Sequence, residues 1–327
     1  MKSLSHYLLT HLDGHEHQDE LNLIISDIAE IGKKIAHEVQ RSGLLDLHGA
    51  AGGQNVHDDE VQKLDERTNE IMKDMLAGNE HVIGLASEEE EDVVDVSAGK
   101  THGYLVAFDP LDGSSNIDIN MPVGTIFSVL PSDDVKTGFL QPSGKQVAAG
   151  YVLYSSSTVL VFSVGKGVHE FTLDPDSGEF LLTSENIRIP ENTGYIAYNP
   201  YVLPKMDPKK AEAYRELSSE TARSMRWVGA MVADIHRTLI KGGFFAYPSV
   251  GKNGDYKGKL RLQYEAKPLA WLVEQAGGKA LLNDKSANEL KSVELHEKVS
   301  VEMGDAGTMK LFEKLLQGTD SAGLSSS

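Results

Sequence analysis

The feature that most constrains this chain is an apolar run that ends in two carboxylates. Tyr104 to Phe108 has the composition of a strand, and Asp109-Pro110-Leu111-Asp112-Gly113-Ser114-Ser115-Asn116 follows it without a break. Pro110 fixes its φ, and Gly113 admits backbone angles closed to other residues. The spacing therefore predicts a tight turn in which both carboxylates converge while successive N–H groups face outward as an anion nest. An Asp-capped turn opening a helix would explain one Asp and the serines. It does not explain two acids held at a strand end, whereas a turn that holds metal and phosphate together does.

Three further acidic elements stand elsewhere in the chain. Val82 to Ala86 reads as a second strand and runs into Ser87-Glu88-Glu89-Glu90-Glu91. Glu88 and Glu89 follow that strand directly, while Glu90, Glu91 and Asp92 read as a solvated charge run. Asp59 and Asp65 lie six residues apart across a loop-to-helix junction, where alone they would pass for helix N-terminal acidity. Glu265 closes Lys259-Leu260-Arg261-Leu262-Gln263-Tyr264-Glu265, ahead of a helix that opens at Pro268 and stops at Gly277-Gly278.

Charge and composition narrow the partners. A net charge of -18 disfavours nucleic acid and anionic membranes, which are bound by clustered Lys and Arg. An anionic substrate then needs a bound cation or a focused basic pocket. With no Cys in the chain, disulfides, thiolate metal sites and a Cys nucleophile are excluded. His11 to Glu20 is charged and His-rich rather than apolar, so no signal peptide is expected. No run approaches membrane-spanning length, and a cytoplasmic location is the expectation.

The 327 residues exceed the usual size of a single core, so two packed domains or one large layered α/β unit are expected. Leu21, Ile24, Ile28, Ile31, Ile35 and Val39 recur at helical spacing up to Ser42-Gly43. Gly49 to Asp59 reads as a mobile loop, and a second helix carries Val61, Leu64, Thr68, Ile71 and Met75 on one side. Val123 to Leu182 reads as a β-meander with turns at 165–167 and 174–176. Near Pro190 the texture changes to helix, helix, strand and helix. The expected division is an N-terminal part over 1–190 with the acidic motifs and the loop, a C-terminal part over 191–317, and a disordered Ser/Gly-rich tail over 318–327.

Taken together, these elements resemble class I fructose-1,6-bisphosphatase, within the superfamily of lithium-sensitive, magnesium-dependent sugar and inositol phosphatases. The Asp-Pro-Leu-Asp-Gly-Ser signature and the preceding Glu-Glu are those of the superfamily. Arg226, Gly229, Val232-Ala233-Asp234, His236-Arg237-Thr238, Gly242-Gly243 and Tyr247-Pro248 are similar to this branch, over about Leu21 to Leu316. The resemblance implies a five-layer α-β-α-β-α fold and hydrolysis of the 1-phosphate of fructose 1,6-bisphosphate in gluconeogenesis or a carbon-fixing sugar cycle. It implies two or three Mg²⁺ per subunit, with Mn²⁺ able to substitute, on Asp59, Glu88, Asp109, Asp112, Glu265 and the backbone carbonyl of Leu111. Such hard ions take oxygen ligands and share phosphate oxygens. Asp65 and Glu89 would position and deprotonate the attacking water, and Asp112, Gly113, Ser114 and Ser115 would cradle the phosphate. Asn199, Tyr201, Trp227, Tyr247 and Lys259 would bind the second phosphate. Arg226 would reach it from a neighbouring subunit of a dimer of dimers.

The sequence departs from the family at the second-phosphate pocket and at the AMP site. Tyr198-Asn199-Pro200-Tyr201 stands where the family has Asn-Glu-Gly-Tyr, and Trp227 replaces a Tyr, so a phenolic hydroxyl is lost. A sedoheptulose-1,7-bisphosphatase or a bifunctional enzyme is the alternative, and an inactive sugar-phosphate sensor is one of another class. An inositol monophosphatase fits less well, since that branch has a Trp-Asp pair where this chain has Tyr264-Glu265. The family's AMP site uses donors where this chain has His15 to Glu20, Gly103 and Pro131. Weak or absent AMP inhibition is expected.

Overall fold

The computed structural model describes residues 1–44, 50–54 and 60–322. In chain order, α1 (Leu4–His11) and α2 (Gln18–Arg41) precede the hairpin β1 (Ala50–Gln54) and β2 (Glu60–Gln62), and α3 (Lys63–Ala77) follows. Next come β3 (Val82–Ser87), β4 (Val94–Asp95), β5 (Gly103–Asp112), β6 (Val123–Ser132), β7 (Ala148–Tyr154), β8 (Thr158–Ser163), β9 (His169–Leu173) and β10 (Phe180–Ser184). The remainder holds β11 (Tyr195–Ala197), α4 (Pro208–Thr221), α5 (Met231–Lys241), β12 (Gly243–Tyr247), β13 (Val250–Lys252), β14 (Asp255–Lys257), β15 (Leu260–Arg261) and α6 (Lys267–Gln275). It ends with β16 (Lys279–Leu282), β17 (Lys285–Ser286), β18 (Lys298–Val299), β19 (Val301–Gly304) and α7 (Ala306–Ala322).

Two sheets organise the molecule. The first has eight strands in the order β10-β9-β8-β7-β6-β5-β3-β4, so the meander from β5 to β10 is laid down neighbour by neighbour; the second has five, in the order β11-β12-β19-β16-β17. Side chains alternate across a strand, and here adjacent residues serve different layers. Phe127, Val152 and Leu160 pack under α1, α2 and α3 with Ile24, Ile28, Ile35 and Leu64. Their neighbours Ile126, Tyr151 and Val161 face α5 and α6, whose Val232, Ile235, Leu269 and Leu272 also cover Phe245, Leu282 and Met303 of the second sheet. On the far side of that sheet, Phe244 and Leu281 meet Tyr214 and Leu217 of α4 and Met309 and Phe312 of α7. These contacts build the five layers α, β, α, β, α.

Several expectations need correction. Residues 50–54, read as loop, pair as a strand with Glu60–Gln62, and Val61 lies in β2 rather than on α3; Asp59 falls outside the described residues. The Ser/Gly tail is helical as far as Ala322, and 323–327 lie outside the described residues. Four helices and nine short strands follow Pro190, more strands than the apolar runs suggested, because two-residue ladders carry no period to read.

Candidate metal centre

The two carboxylates of the signature do not flank a turn. β5 continues through Asp112, and Asp109↔Ile126 followed by Asp112↔Gly124 puts one extra residue on β5, a β-bulge. Pro110, which has no N–H to give the ladder, is tolerated at such a position. Its carbonyl accepts from Thr125 Oγ1 at 2.9 Å. The Asp109 carboxylate folds back onto the Leu111 N–H at 2.9 Å. Gly113 then sits at φ 78°, and a Cβ there would lie 2.4 Å from the Ala230 methyl.

Three other segments are brought to this strand end. The parallel pairing of β3 with β5 matches Ser87 with Phe108, and the Glu88 N–H donates to the Phe108 carbonyl at 3.2 Å. Glu88 thereby lands beside Asp109 and shares a hydrogen bond with it. The N-terminus of α5 supplies the next contact, with the Met231 and Val232 N–H groups both donating to Asp112, the latter at 2.7 Å. Those are two of the four donors that any helix start leaves unpaired. Glu265 comes from a single π-helical turn, Leu262–Ala266, and accepts from the Arg261 N–H at 2.6 Å.

The result is a buried anionic cluster. Carboxylate oxygens of Asp109, Asp112 and Glu265 lie within 4.8 Å of one another, and the three residues are only 6–7% exposed. Burial first, and then the neighbouring carboxylates, push Asp109 and Glu265 well above the carboxylate range. Burial likewise lifts Glu88 and Asp112 to about 7. Arg261, 2% exposed, opposes this, with its Nε 3.4 Å from Glu88 Oε1. One guanidinium against four carboxylates leaves an excess of largely desolvated negative charge, which a hard divalent cation with oxygen ligands would compensate. The donor set contains only oxygen, so the residues fit such an ion.

Asp65 is buried in the first turn of α3, and its charge adds to the upward pressure on Glu88. The Glu89 N–H donates to Ser87 Oγ at 3.2 Å, and Ser87 Oγ donates to Asn69 Oδ1 at 2.7 Å, tying α3 to the end of β3. Glu90, read as solvated, instead accepts from Asn69 Nδ2 at 2.7 Å and pairs with Lys73. It helps to lock α3 in place.

A cavity of about 170 Å³ opens from the carboxylates. Glu88, Asp112, Glu265 and Arg261 line one side, and Trp227, Tyr247 and Lys259 line another. Trp227 stacks on Phe245 at 6.0 Å with planes 4° apart. Gly113 and Ser114 follow the bulge at the start of the 3₁₀ turn Ser114–Ile119, and Ser115 is exposed. Asn199, Tyr201 and Arg226 are not brought to this cavity within one chain. Asn199 caps the 3₁₀ turn Pro200–Lys205 through the Tyr201 N–H, and Tyr201 is 71% exposed. The Arg226 guanidinium lies over the Tyr195 ring. His236 meets the Tyr151 hydroxyl at 2.8 Å.

The sequence reading missed Arg261 and Lys298, both of which line the cavity. Arg261 stands in the same segment as Lys259 and Glu265, but nothing in its spacing marks it as buried. Lys298 pairs with Arg261 across β15 and β18, a contact visible only in three dimensions.

Comparison with known proteins matches the same regions. The family profile described as fructose-1-6-bisphosphatase, N-terminal domain, covers residues 2–185, and that of the C-terminal domain covers 189–317. Fructose-1,6-bisphosphatase class 1 of Shewanella amazonensis is 45% identical over 297 residues, spanning 88% of this chain and 92% of the relative. The Sulfurihydrogenibium enzyme of the same name is 45% identical over 287 residues, or 87% and 88% of the two chains. Among solved structures, holo fructose-1,6-bisphosphatase of Leishmania major superposes with a TM-score of 0.89 at 35% identity, over 97% of this chain and 99% of that one. Its T-state superposes at 0.84 with 36% identity, over 96% and 98%.

Proposed function

The chain belongs to the fructose-1,6-bisphosphatase family, and from that premise we propose that it hydrolyses the 1-phosphate of D-fructose 1,6-bisphosphate to fructose 6-phosphate and phosphate. The observation that carries this reading is the cluster of Asp109, Asp112 and Glu265, which share one space, the latter two lining a cavity together with Lys259, Trp227, Phe245 and Tyr247. That arrangement suits a small sugar with a phosphate at each end.

Glu88, Asp109, Asp112, Glu265, the Leu111 carbonyl and Asp59 would hold two or three Mg²⁺, with Mn²⁺ able to substitute. The metal would neutralise the phosphoryl and leaving oxygens and lower the pKa of a bound water. Asp65 and Glu89 would orient the attacking water and accept its proton as its oxygen attacks phosphorus. The bond from phosphorus to the sugar C1 oxygen would break, and that oxygen would leave as the sugar hydroxyl by taking up a proton from solvent. Gly113, Ser114 and Ser115 receive the transferred phosphate on their N–H groups beside the start of α5. Tyr247, Lys259 and Trp227 orient the other phosphate, and Asn199 and Tyr201, which lie outside the cavity of their own chain, would have to move to reach it. Arg226, which faces away from the cavity of its own chain, serves that of a neighbour, so each site is completed by the partner subunit's Arg226 in a dimer of dimers. In this reading residues 1–190 carry most of the metal ligands, and 191–317 carry the substrate side together with Glu265.

Among the described residues no helix is long and apolar enough to cross a membrane. His17 Nδ1 and the Tyr104 hydroxyl bond to each other at 2.9 Å, in the region where the family receives AMP. This supports weak AMP control, and inhibition at low micromolar AMP would refute it. The central test is phosphate release from fructose 1,6-bisphosphate, sedoheptulose 1,7-bisphosphate and inositol monophosphate, with Mg²⁺ and with EDTA. Metal-dependent turnover favouring the fructose ester is expected. Equal turnover of both bisphosphates would make the enzyme bifunctional, and no turnover would indicate a sensor.

A further inference from the structure

Beside the sugar cavity lies another, of about 750 Å³, between the start of α4, the hairpin β13–β14, the turn at Asn283-Asp284, and β18. In a chain of net charge -18, its wall carries Lys209, Lys210, Lys257 and Lys298 against two aspartates. Both aspartates are engaged. Asp207 accepts from the Lys209 and Lys210 N–H groups as the N-cap of α4, and Asp284 binds the Lys210 ammonium at 2.6 Å. Lys210 is also held by buried Glu302 at 2.8 Å, so it is an anchor of the fold. Among the described residues Lys257 pairs with Asp255 alone, at 3.7 Å, with both side chains more than three-quarters exposed, and such a pair holds little charge in place. Ser249, Tyr256 and Ser300 add hydroxyl donors.

The two cavities share a single lining residue, Lys298. The wall between them is backbone against backbone. Leu260 pairs with Val299 and Arg261 with Lys298, and a Cβ on Gly258 would fall 1.9 Å from the Val299 carbonyl carbon. Gly258 lines the larger cavity, and the next residue, Lys259, lines the smaller. Lys298 stands at this partition on a flexible four-carbon stem, and its single ammonium serves one cavity at a time.

We propose that the larger cavity is a second anion site, for a small molecule bearing a phosphate monoester or paired carboxylates, and that its occupant competes with the sugar bisphosphate for Lys298. The competition rests on the reading of the smaller cavity as the bisphosphate site. Coupling of this kind is negative and reciprocal.

Methylphosphonate and malonate, one probe for each ligand source, test this. Calorimetry on the full chain in EDTA measures their binding without metal at the carboxylates, and rates at constant ionic strength with excess Mg²⁺ measure the coupling. We expect one site per subunit and a KM for fructose 1,6-bisphosphate raised about fivefold or more at saturating probe, with kcat unchanged. The tighter probe identifies the ligand source. Lys257→Ala should keep the basal kinetics but lose both probe binding and the KM response. Lys298→Ala should start at the raised KM, and neither probe should move it. Absence of binding to the unmodified protein overturns the site, as does a KM response that survives in Lys257→Ala. Binding without any KM change overturns the competition. A protein that turns over no sugar bisphosphate fails the proposed function, while calorimetry on Lys257→Ala still decides the anion site.

Discussion

Stripping divalent cations with EDTA should destabilise this protein by an amount that grows as pH rises towards 7. In the metal-free fold, burial lifts Asp112 from 3.8 to about 7 and Glu88 from 4.5 to about 7, and pushes Asp109 and Glu265 well above the carboxylate range. Between the unfolded and folded pKa values, the folded chain holds protons that the unfolded chain has released, so stability falls as pH climbs through that window. For Asp112 the full loss is about 4 kcal/mol above pH 7, of which roughly 3 kcal/mol accrues between pH 5 and pH 8. A bound cation removes the penalty, since its ligands are held deprotonated. An unfolding entropy near ~2 cal/mol/K per residue makes 1 kcal/mol equal to about 1.5 °C in this chain. Asp112 alone therefore predicts a gap between metal-loaded and EDTA-treated melts that widens by about 4 °C from pH 5 to pH 8, and the other carboxylates add to it. Circular dichroism melts at four pH values decide the matter. A gap already constant above pH 5, as carboxylates of ordinary pKa would produce, refutes the argument.

Asp109→Asn should lower kcat by at least ~10²-fold yet raise the melting temperature in EDTA at pH 8, because it removes a carboxyl that the metal-free fold must either protonate or bury as a charge; a lower melt would contradict that penalty. Arg261→Met should cost about 10- to 100-fold in activity and shift the acid limb of the kcat/KM profile to higher pH, since Arg261 is what pulls Glu88 down. An unmoved limb would show that Glu88 does not titrate in that profile. Gly113→Ala forces a left-handed φ and a contact at 2.4 Å with Ala230, and should cost about 1–3 kcal/mol in urea unfolding along with most of the activity. Lys210→Met leaves Glu302, which is 0% exposed, without its cation; a loss of about 3–5 kcal/mol with unchanged turnover is expected by urea titration and steady-state rates.

The local instructions of this protein can be read along the chain. The apolar spacing of α2, the meander after Val123 and the acids that follow two apolar strands are short-range patterns, and period and turn chemistry act within a few residues. Asp109, Asp112, Glu88 and Glu265 could be singled out because strand ends and helix starts are local events. Their convergence is not local. The parallel register of β3 on β5 places Glu88 beside Asp109, the first turn of α5 holds Asp112, and the π-helical turn aims Glu265 inward. Each of these depends on packing between segments more than a dozen residues apart. The same holds for what the sequence misread. Glu90 is tied to α3 because Asn69 and Lys73 face it, and Arg261 is buried beside the carboxylates of Glu88 and Glu265. Sequence chose which groups carry charge; tertiary structure alone decided which of those charges lose their solvent, and desolvation is what turns a run of acids into a metal centre.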